Sequence, residues 1–323
     1  MNLENFLRDP EWDAPFFKVL AANDTGTAPG HQGGVVIPKP LRQYFPDLNP
    51  ETVSRETPTV DRRLWVELWD GERPLGTVNS RYQFQTWGGT RSPESRLTDN
   101  LGELRNIAHV GDILIMQRHA LEITHYRLCL IRKRSSVGFA KIVGIVGTSR
   151  WGVIDETPVT DETIKEATEE LVSSEKSQFH IFDQSPTVIE TRSKQLSRTI
   201  AFRKKLFNLY EGNCAVCQSS LRTPSHKSEM EAAHVVPRNR GGVNDARNGL
   251  GLCRRHHWAF DRGFFGIEAT RKIFVPDATL EIPQNEPLRA FHGKPLLEAN
   301  NRDLLTHPDA LKWHFENTMI GNI

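Results

Sequence analysis

Long apolar runs and cysteines are both scarce in this chain. No uninterrupted apolar stretch approaches the roughly 20 residues that a membrane-spanning helix needs. The first residues, Met1 to Phe6, lack the basic and then apolar plan of a signal peptide. Only four cysteines occur in 323 residues, which argues against a disulfide framework. We therefore expect a cytoplasmic protein with no membrane segment.

The chain as a whole also lacks a large excess of positive or negative charge, since its net charge is only +1. The charges are nevertheless unevenly distributed. Residues 196–262 hold twelve Lys and Arg against five Asp and Glu, whereas residues 151–191 hold ten acidic and two basic residues. Either block can be an ordinary solvated surface. The asymmetry also favours a polyanionic partner for the basic block.

Length and residue pattern predict an α+β protein with two domains. A chain of 323 residues exceeds one typical core. Short apolar segments punctuated by Gly, Pro, Asn and Asp predict a β-rich domain over residues 10–150, with strands at 34–37, 64–68, 112–116 and 125–131. Apolar residues at helical spacing predict helices at 160–172 and 197–210. We assign 151–195 to a helix with an acidic linker and 196–323 to the second domain.

Three of the four cysteines fall into a pattern with a histidine. Cys214 and Cys217 form a Cys-x2-Cys pair, and Cys253 and His256 form a Cys-x2-His pair. A structural zinc site takes four such sulfur and nitrogen ligands. Because the paired spacing is specific, we predict a structural zinc ion here rather than four unrelated residues. Cys129 lies in an apolar strand-like segment and is predicted to be a buried thiol.

Between the two pairs lie His234 and Asn248, and His257 follows directly after them. The pattern around them predicts a strand at 230–237, a glycine-containing loop at 238–244, and a segment at 248–253 that leads into a helix beginning near Arg254. The segment 197–315 resembles the HNH endonuclease family, whose ββα-metal fold has this plan. The matching residues are Glu231-Ala-Ala-His234, Pro237, Gly241-Gly242, Asn248-Gly249, Leu252-Cys253, His257, Phe260-Asp261-Arg262-Gly263 and the tail 305–314.

The resemblance implies a role for each histidine. His234 would be the general base, with its imidazole oriented by Asn248 through a carbonyl hydrogen bond. His257 would hold Mg²⁺ or another divalent ion on the scissile phosphate. Many HNH proteins have an acidic metal ligand directly before the first histidine, but this chain has Ala233 there.

Two carboxylates are candidates for the missing ligand. They are Asp261, one helical turn after His257, and Glu231. Asp261 is equally well explained as a helix-stabilising or packing carboxylate. Nearby arginines are expected to contact DNA phosphates, which position DNA without reading its sequence; they are Arg238, Arg240 and Arg254.

The N-terminal region resembles the DNA-binding domain of the restriction enzyme EcoRII. The similarity is carried by residues 17–26, 30–33, 36–38, 79–81 and 89–98. It implies a β-pseudobarrel that clamps the DNA major groove with two arms. The residues that it assigns to DNA contact are His31, Gln32, Arg81, Arg91, Glu94 and Arg96. Arginine can donate two bonds to guanine and glutamate can accept from cytosine, although Arg91 and Arg96 can also be ordinary exposed loop residues.

Together, the two resemblances imply a sequence-specific DNA endonuclease of the restriction type. One HNH site cuts one strand, so double-stranded DNA and a second copy of the chain are the expected partners, with a cognate DNA methyltransferase as a further candidate. One alternative is a modification-dependent nuclease whose N-terminal domain reads an altered base. A second is a non-catalytic, zinc-containing DNA-binding regulator, although binding alone does not need the His234, Asn248 and His257 set.

Overall fold

A computed structural model describes residues 3–28, 33–54, 56–86, 92–134, 136–154, 156–183, 191–224 and 227–319 of the chain. The chain divides into two units, Met1–Thr163 and Ile164–Ile323. Each unit contains helices and strands, which confirms the α+β class. None of the helices in these residues is long and apolar enough to cross a membrane.

The first unit is built on one eight-stranded sheet that curls into a half-barrel, as predicted for this region. Its strands follow the order β2-β5-β4-β3-β7-β6-β1-β8. Neighbouring strands are antiparallel except β3 and β7, which are parallel. The strands are β1 (Phe16–Val19), β2 (Val35–Ile37), β3 (Thr59–Asp70), β4 (Arg73–Gln85), β5 (Glu94–Leu97), β6 (Ile113–Arg118), β7 (His125–Ile131) and β8 (Trp151–Val153).

Both faces of this sheet are buried, because successive side chains of a strand point to opposite sides. Phe16 belongs to the core of one face, where Phe45 stacks on Tyr126. Phe17 belongs to the other core, together with Phe6. The short helices that accompany the sheet are α1 (Leu3–Leu7), α2 (Ala22–Thr25), α3 (Gly102–Arg105) and α4 (Ser136–Val146). Cys129 is fully buried, as expected.

A buried ion pair joins β1 to α2 in the first unit. The Lys18 Nζ atom lies 2.6 Å from Asp24 Oδ1 and also donates to the Val36 carbonyl. Asp24 accepts further bonds from the backbone N–H groups of Ala21 and Val36. Burial lowers the pKa of Lys18, against the opposing effect of Asp24. The pair therefore fixes the chain on both sides of residues 29–32.

Substitution Asp24→Asn should lower the free energy of unfolding of the first unit by about 3 kcal/mol, because it leaves the Lys18 ammonium buried without a counter-ion. The matched control is Asp99→Asn, which removes an equally short but exposed ion pair with Arg63 and should cost less than about 1 kcal/mol. Urea denaturation of the full chain measures both values. Equal losses for the two variants would contradict the assigned role of the buried pair.

The second unit has a single core and two small hairpins. Its helices are α5 (Asp161–Glu175, which begins in the first unit), α6 (Arg192–Tyr210), α7 (Arg254–Asp261), α8 (Asp277–Leu280) and α9 (Pro308–His314). Its strands are β9 (Met230–His234), β10 (Gly249–Cys253), β11 (Gly266–Ile267) and β12 (Ile273–Phe274). The helices predicted at 160–172 and 197–210 are confirmed as α5 and α6.

The β9–β10 hairpin, followed directly by α7, forms the predicted ββα module. Helix α6 packs closely on β10, since a Cβ atom on Gly249 would lie only 2.6 Å from Leu206 Cδ1. The C-terminal tail also packs against the module. Thr306 donates to the Gly249 carbonyl at 2.8 Å, and the His314 ring stacks on Phe260 with centroids 3.7 Å apart. The hairpin and helix are therefore fixed by elements at both ends of the second unit.

Candidate active site

The four predicted zinc ligands meet in one buried cluster, which we call the zinc cluster. The ligand atoms of Cys214, Cys217, Cys253 and His256 all lie within 4.8 Å of one another. His256 Nδ1 is 3.4 Å from Cys214 Sγ and 3.2 Å from Cys253 Sγ, and the Cys217 and Cys253 sulfurs are 3.9 Å apart. Zinc bonds of about 2.3 Å to sulfur and about 2.0 Å to nitrogen place tetrahedral ligands about 3.5–3.8 Å apart. The cluster therefore fits a zinc ion.

Proton sharing within the zinc cluster already favours a thiolate. A hydrogen bond from Cys253 lowers the pKa of the Cys214 thiol to about 3. The same contact raises the pKa of Cys253, because its proton is held between the two sulfurs. A metal ion that binds thiolates displaces such protons. The zinc cluster thus has the geometry that a structural metal site needs, and one of its three thiols is already acidic.

His234 ends strand β9, opposite Gly249 of β10. Its ring stacks face to face on Phe202, with centroids 4.0 Å apart and an angle of 11° between the planes. Its Nε2 atom lies 2.9 Å from Asn244 Oδ1. Burial lowers the pKa of His234 to about 4, and the nearby charges of Arg238 and His257 act in the same direction. The imidazole is therefore neutral at physiological pH, as a general base must be.

Asn248 does not orient His234 as the resemblance implied. Its Oδ1 atom accepts from the Val236 N–H at 2.9 Å, and its Nδ2 atom donates to the carbonyls of Val236 and Val243. Asn248 is fully buried and closes the loop that follows His234, so its bonding capacity is used by the backbone. The side chain that contacts the imidazole is Asn244, which sequence spacing did not single out.

His257, on α7, stands between two carboxylates. Its Nδ1 atom lies 2.8 Å from Glu231 Oε2, and its Nε2 atom lies 3.5 Å from Asp261 Oδ2. Although burial opposes a charge on His257, the hydrogen bond to Glu231 and the charge of Asp261 raise its pKa. The two carboxylates thus favour a positive charge at the position where the resemblance expects a metal cation. Both candidate ligands named from the sequence lie beside His257.

The arginines expected to contact DNA near this site differ in their surroundings. Arg238 Nη1 donates to the Gly242 carbonyl and lies 3.4 Å from Asp183 Oδ2. Arg254 Nε lies 3.2 Å from Glu231 Oε1, although its side chain is 68% exposed. Arg240 is exposed at the end of a short 3-10 turn. Their contacts with DNA stay a prediction.

The predicted DNA-reading residues of the first unit are only partly described. His31, Gln32 and Arg91 lie outside the described residues. Arg81, on β4, donates to Asp61 at 2.8 Å. Glu94 and Arg96 lie on strand β5 rather than on a projecting arm. Arg96 is only 5% exposed and donates to Glu94 at 2.7 Å, so the alternative of an ordinary exposed loop residue does not hold for it, whereas its contact with DNA stays a prediction.

The ββα module beside the zinc cluster is the arrangement that the resemblance to HNH endonucleases predicts. The family model for HNH endonucleases matches residues 214–268, so this part of the chain is an HNH endonuclease domain. That match confirms the resemblance drawn from the sequence. A comparison with curated proteins finds no match.

Several solved structures are similar to this chain. A modification-dependent TagI restriction endonuclease is 11% identical over 95% of this chain and 77% of its own, with a TM-score of 0.32. The B3 domain of the UbaLAI restriction endonuclease with cognate DNA is 22% identical over 45% of this chain and 87% of its own, with a TM-score of 0.32. The Arabidopsis FUS3–DNA complex is 17% identical over 36% of this chain and 94% of its own, with a TM-score of 0.26.

Substitution Cys253→Ser should reduce bound zinc from about one ion per chain to nearly none, because a structural site needs all four ligands. The unfolding transition of the second unit should fall with it, since metal binding and folding are coupled. Elemental analysis and thermal unfolding measure the two effects. Cys129→Ser, which changes a buried thiol in the first unit, is the control and should retain zinc. Full zinc occupancy in Cys253→Ser would contradict the assignment.

Proposed function

We propose that this protein is a metal-dependent DNA endonuclease that hydrolyses phosphodiester bonds. The observation that carries the proposal is the arrangement in the HNH domain, where neutral His234 ends β9 while His257 meets Glu231 and Asp261 beside the same hairpin. A regulator that only binds DNA needs neither a neutral buried imidazole nor a carboxylate-flanked one. The chemistry of the site therefore favours hydrolysis over binding alone.

His234 acts as the general base in this proposal. It accepts a proton from a water molecule, whose oxygen attacks the phosphorus atom. The bond from phosphorus to the 3′ oxygen then breaks, and the leaving oxygen takes a proton from solvent, which leaves a 5′-phosphate and a 3′-hydroxyl. Because His234 is neutral well below pH 7, its lone pair is available throughout the physiological range. Burial against Phe202 keeps the imidazole in that state.

His257 and Asp261 would hold the divalent ion. Two neighbouring ligands of an octahedral Mg²⁺ ion lie about 3 Å apart, close to the 3.5 Å between His257 Nε2 and Asp261 Oδ2. Glu231, hydrogen-bonded to Nδ1, fixes the ring orientation from the opposite side. The ion would stabilise negative charge on the phosphate and on the leaving oxygen. The carboxylate of Asp261 suits Mg²⁺ or Mn²⁺, whereas the imidazole of His257 is a ligand that also suits transition metals.

The half-barrel of the first unit would select the DNA site, so that the whole chain acts as a restriction endonuclease. A cognate DNA methyltransferase stays a prediction. One HNH domain cuts one strand, so a double-strand break requires two copies of the chain, which we expect as a homodimer on a near-symmetric site. Such an enzyme would act in the cytoplasm, where bacterial DNA lies.

Substitution His234→Ala should slow cleavage of supercoiled plasmid in Mg²⁺ by at least about 100-fold, because it removes the proton acceptor. Gel electrophoresis follows the conversion to nicked and linear DNA, on matched unmodified and cytosine-modified plasmids. The control is His109→Ala, which removes an exposed histidine of the first unit. Cleavage at the wild-type rate by His234→Ala would remove the proposed base from its role. A preference for modified plasmid would assign the enzyme to the modification-dependent class.

Substitution Asp261→Asn should raise the Mg²⁺ concentration for half-maximal cleavage by at least about tenfold, because it removes an anionic ligand. A magnesium titration of the initial cleavage rate measures this value. Asp309→Asn, an exposed aspartate in the first turn of α9, is the matched control and should leave the titration unchanged. If Asp261→Asn behaves like this control, Asp261 is a helix-stabilising residue and Glu231 becomes the candidate ligand.

A further inference from the structure

Two side chains outside the His234, Asn248 and His257 set determine the orientation of the His234 ring. The face-to-face stack on Phe202, at 4.0 Å and 11°, restricts tilting of the ring. The hydrogen bond from Nε2 to Asn244 Oδ1, at 2.9 Å, opposes a 180° turn of the ring about its Cβ–Cγ bond. Such a flip would put a ring carbon in the place of Nε2 and would break that bond. Together the two contacts leave one orientation of the imidazole.

The bond to Asn244 also determines which nitrogen holds the proton. A side-chain amide oxygen can only accept a hydrogen bond, so Nε2 of His234 carries the N–H group. A neutral imidazole has one N–H group, and the lone pair therefore remains on Nδ1. Asn244 thus selects the nitrogen that can take a proton from water.

The loop that carries Asn244 is fixed from two directions. The Val243 N–H donates to the Ile181 carbonyl at 3.2 Å, in the segment that follows α5. The Val243 carbonyl accepts from Asn248 Nδ2 at 2.9 Å. The Asn244 side chain itself is only partly buried and lines a cleft with Asp183 and Arg198. Asn244 is thus held in place by its backbone, and its side chain is not part of the core.

We propose that Asn244 is a positioning residue for the general base, holding the His234 imidazole with Nδ1 as the proton acceptor. This inference rests on the proposed function. It gives Asn244 a role in the chemical step and Asn248 a role in shaping the loop.

Two substitutions of Asn244 in the full-length, zinc-loaded protein test the inference. Asn244→Leu keeps the size but removes the acceptor, and should lower kcat for plasmid nicking in Mg²⁺ by about 10- to 100-fold with KM, zinc content and Tm unchanged. Asn244→Asp keeps an acceptor and should retain more activity. Because its carboxylate favours the protonated imidazole, it should also move the acid limb of the pH–rate profile to higher pH.

Two further variants in the same assay separate the outcomes. Asn208→Leu, at an exposed position of α6, should leave kcat unchanged. His234→Ala tests the underlying function: if it cleaves normally, the proposed base is wrong. If His234→Ala is inactive but Asn244→Leu has the wild-type kcat, only the role of Asn244 is overturned. If Asn244→Leu is slow but Asn244→Asp leaves the acid limb in place, Asn244 shapes the loop and the inference is likewise overturned.

Discussion

The zinc cluster is the constraint on which the candidate active site depends. Cys253 is the last residue of β10, and His256 lies in the first turn of α7, so one metal ion would fix the angle between hairpin and helix. Successive residues of a helix are about 100° apart around its axis. His256 can therefore face the zinc cluster while His257 faces Glu231 on the hairpin. The metal that stabilises the fold would also set the distance between strand and helix at the catalytic residues.

Different environments shift the pKa values of His234 and His257 in opposite directions. His234 is buried against an aromatic ring and accepts no carboxylate contact, so its pKa is lowered to about 4. His257 is also buried, but Glu231 and Asp261 outweigh that effect and raise its pKa. Burial thus lowers the pKa in one case, and paired carboxylates raise it in the other.

Local signals made the cluster of Cys214, Cys217, Cys253 and His256 and the ββα module predictable, whereas the roles of His234 and His257 stay predictions. The paired spacing of cysteine and histidine predicts a tetrahedral site, and apolar periodicity predicts α5 and α6. Both signals depend on residues that are close in sequence. Asn244 and the burial of Arg96 were not predictable, because they depend on how a loop or strand meets elements far along the chain. The Asn248 role was wrong for a related reason: its buried amide bonds the backbone of Val236, which no spacing pattern reveals.

Ion pairs between the acidic and basic segments partly cancel the uneven charge pattern seen in the sequence. Within the second unit, Glu170 meets Arg198 at 3.0 Å and Glu175 meets Lys205 at 2.7 Å, so part of the acidic segment neutralises part of the basic one. The Glu170–Arg198 pair lies near the surface, where such a pair contributes at most about 1 kcal/mol, whereas the Glu175 side chain is only 7% exposed. Binding to DNA gains more free energy than such a surface pair contributes when several cations contact the phosphates, because condensed counterions are then released. The acidic segment therefore weakens the attraction of the basic segment for a polyanion but does not abolish it. Cations outside these ion pairs, such as exposed Arg240, remain available to contact DNA phosphates.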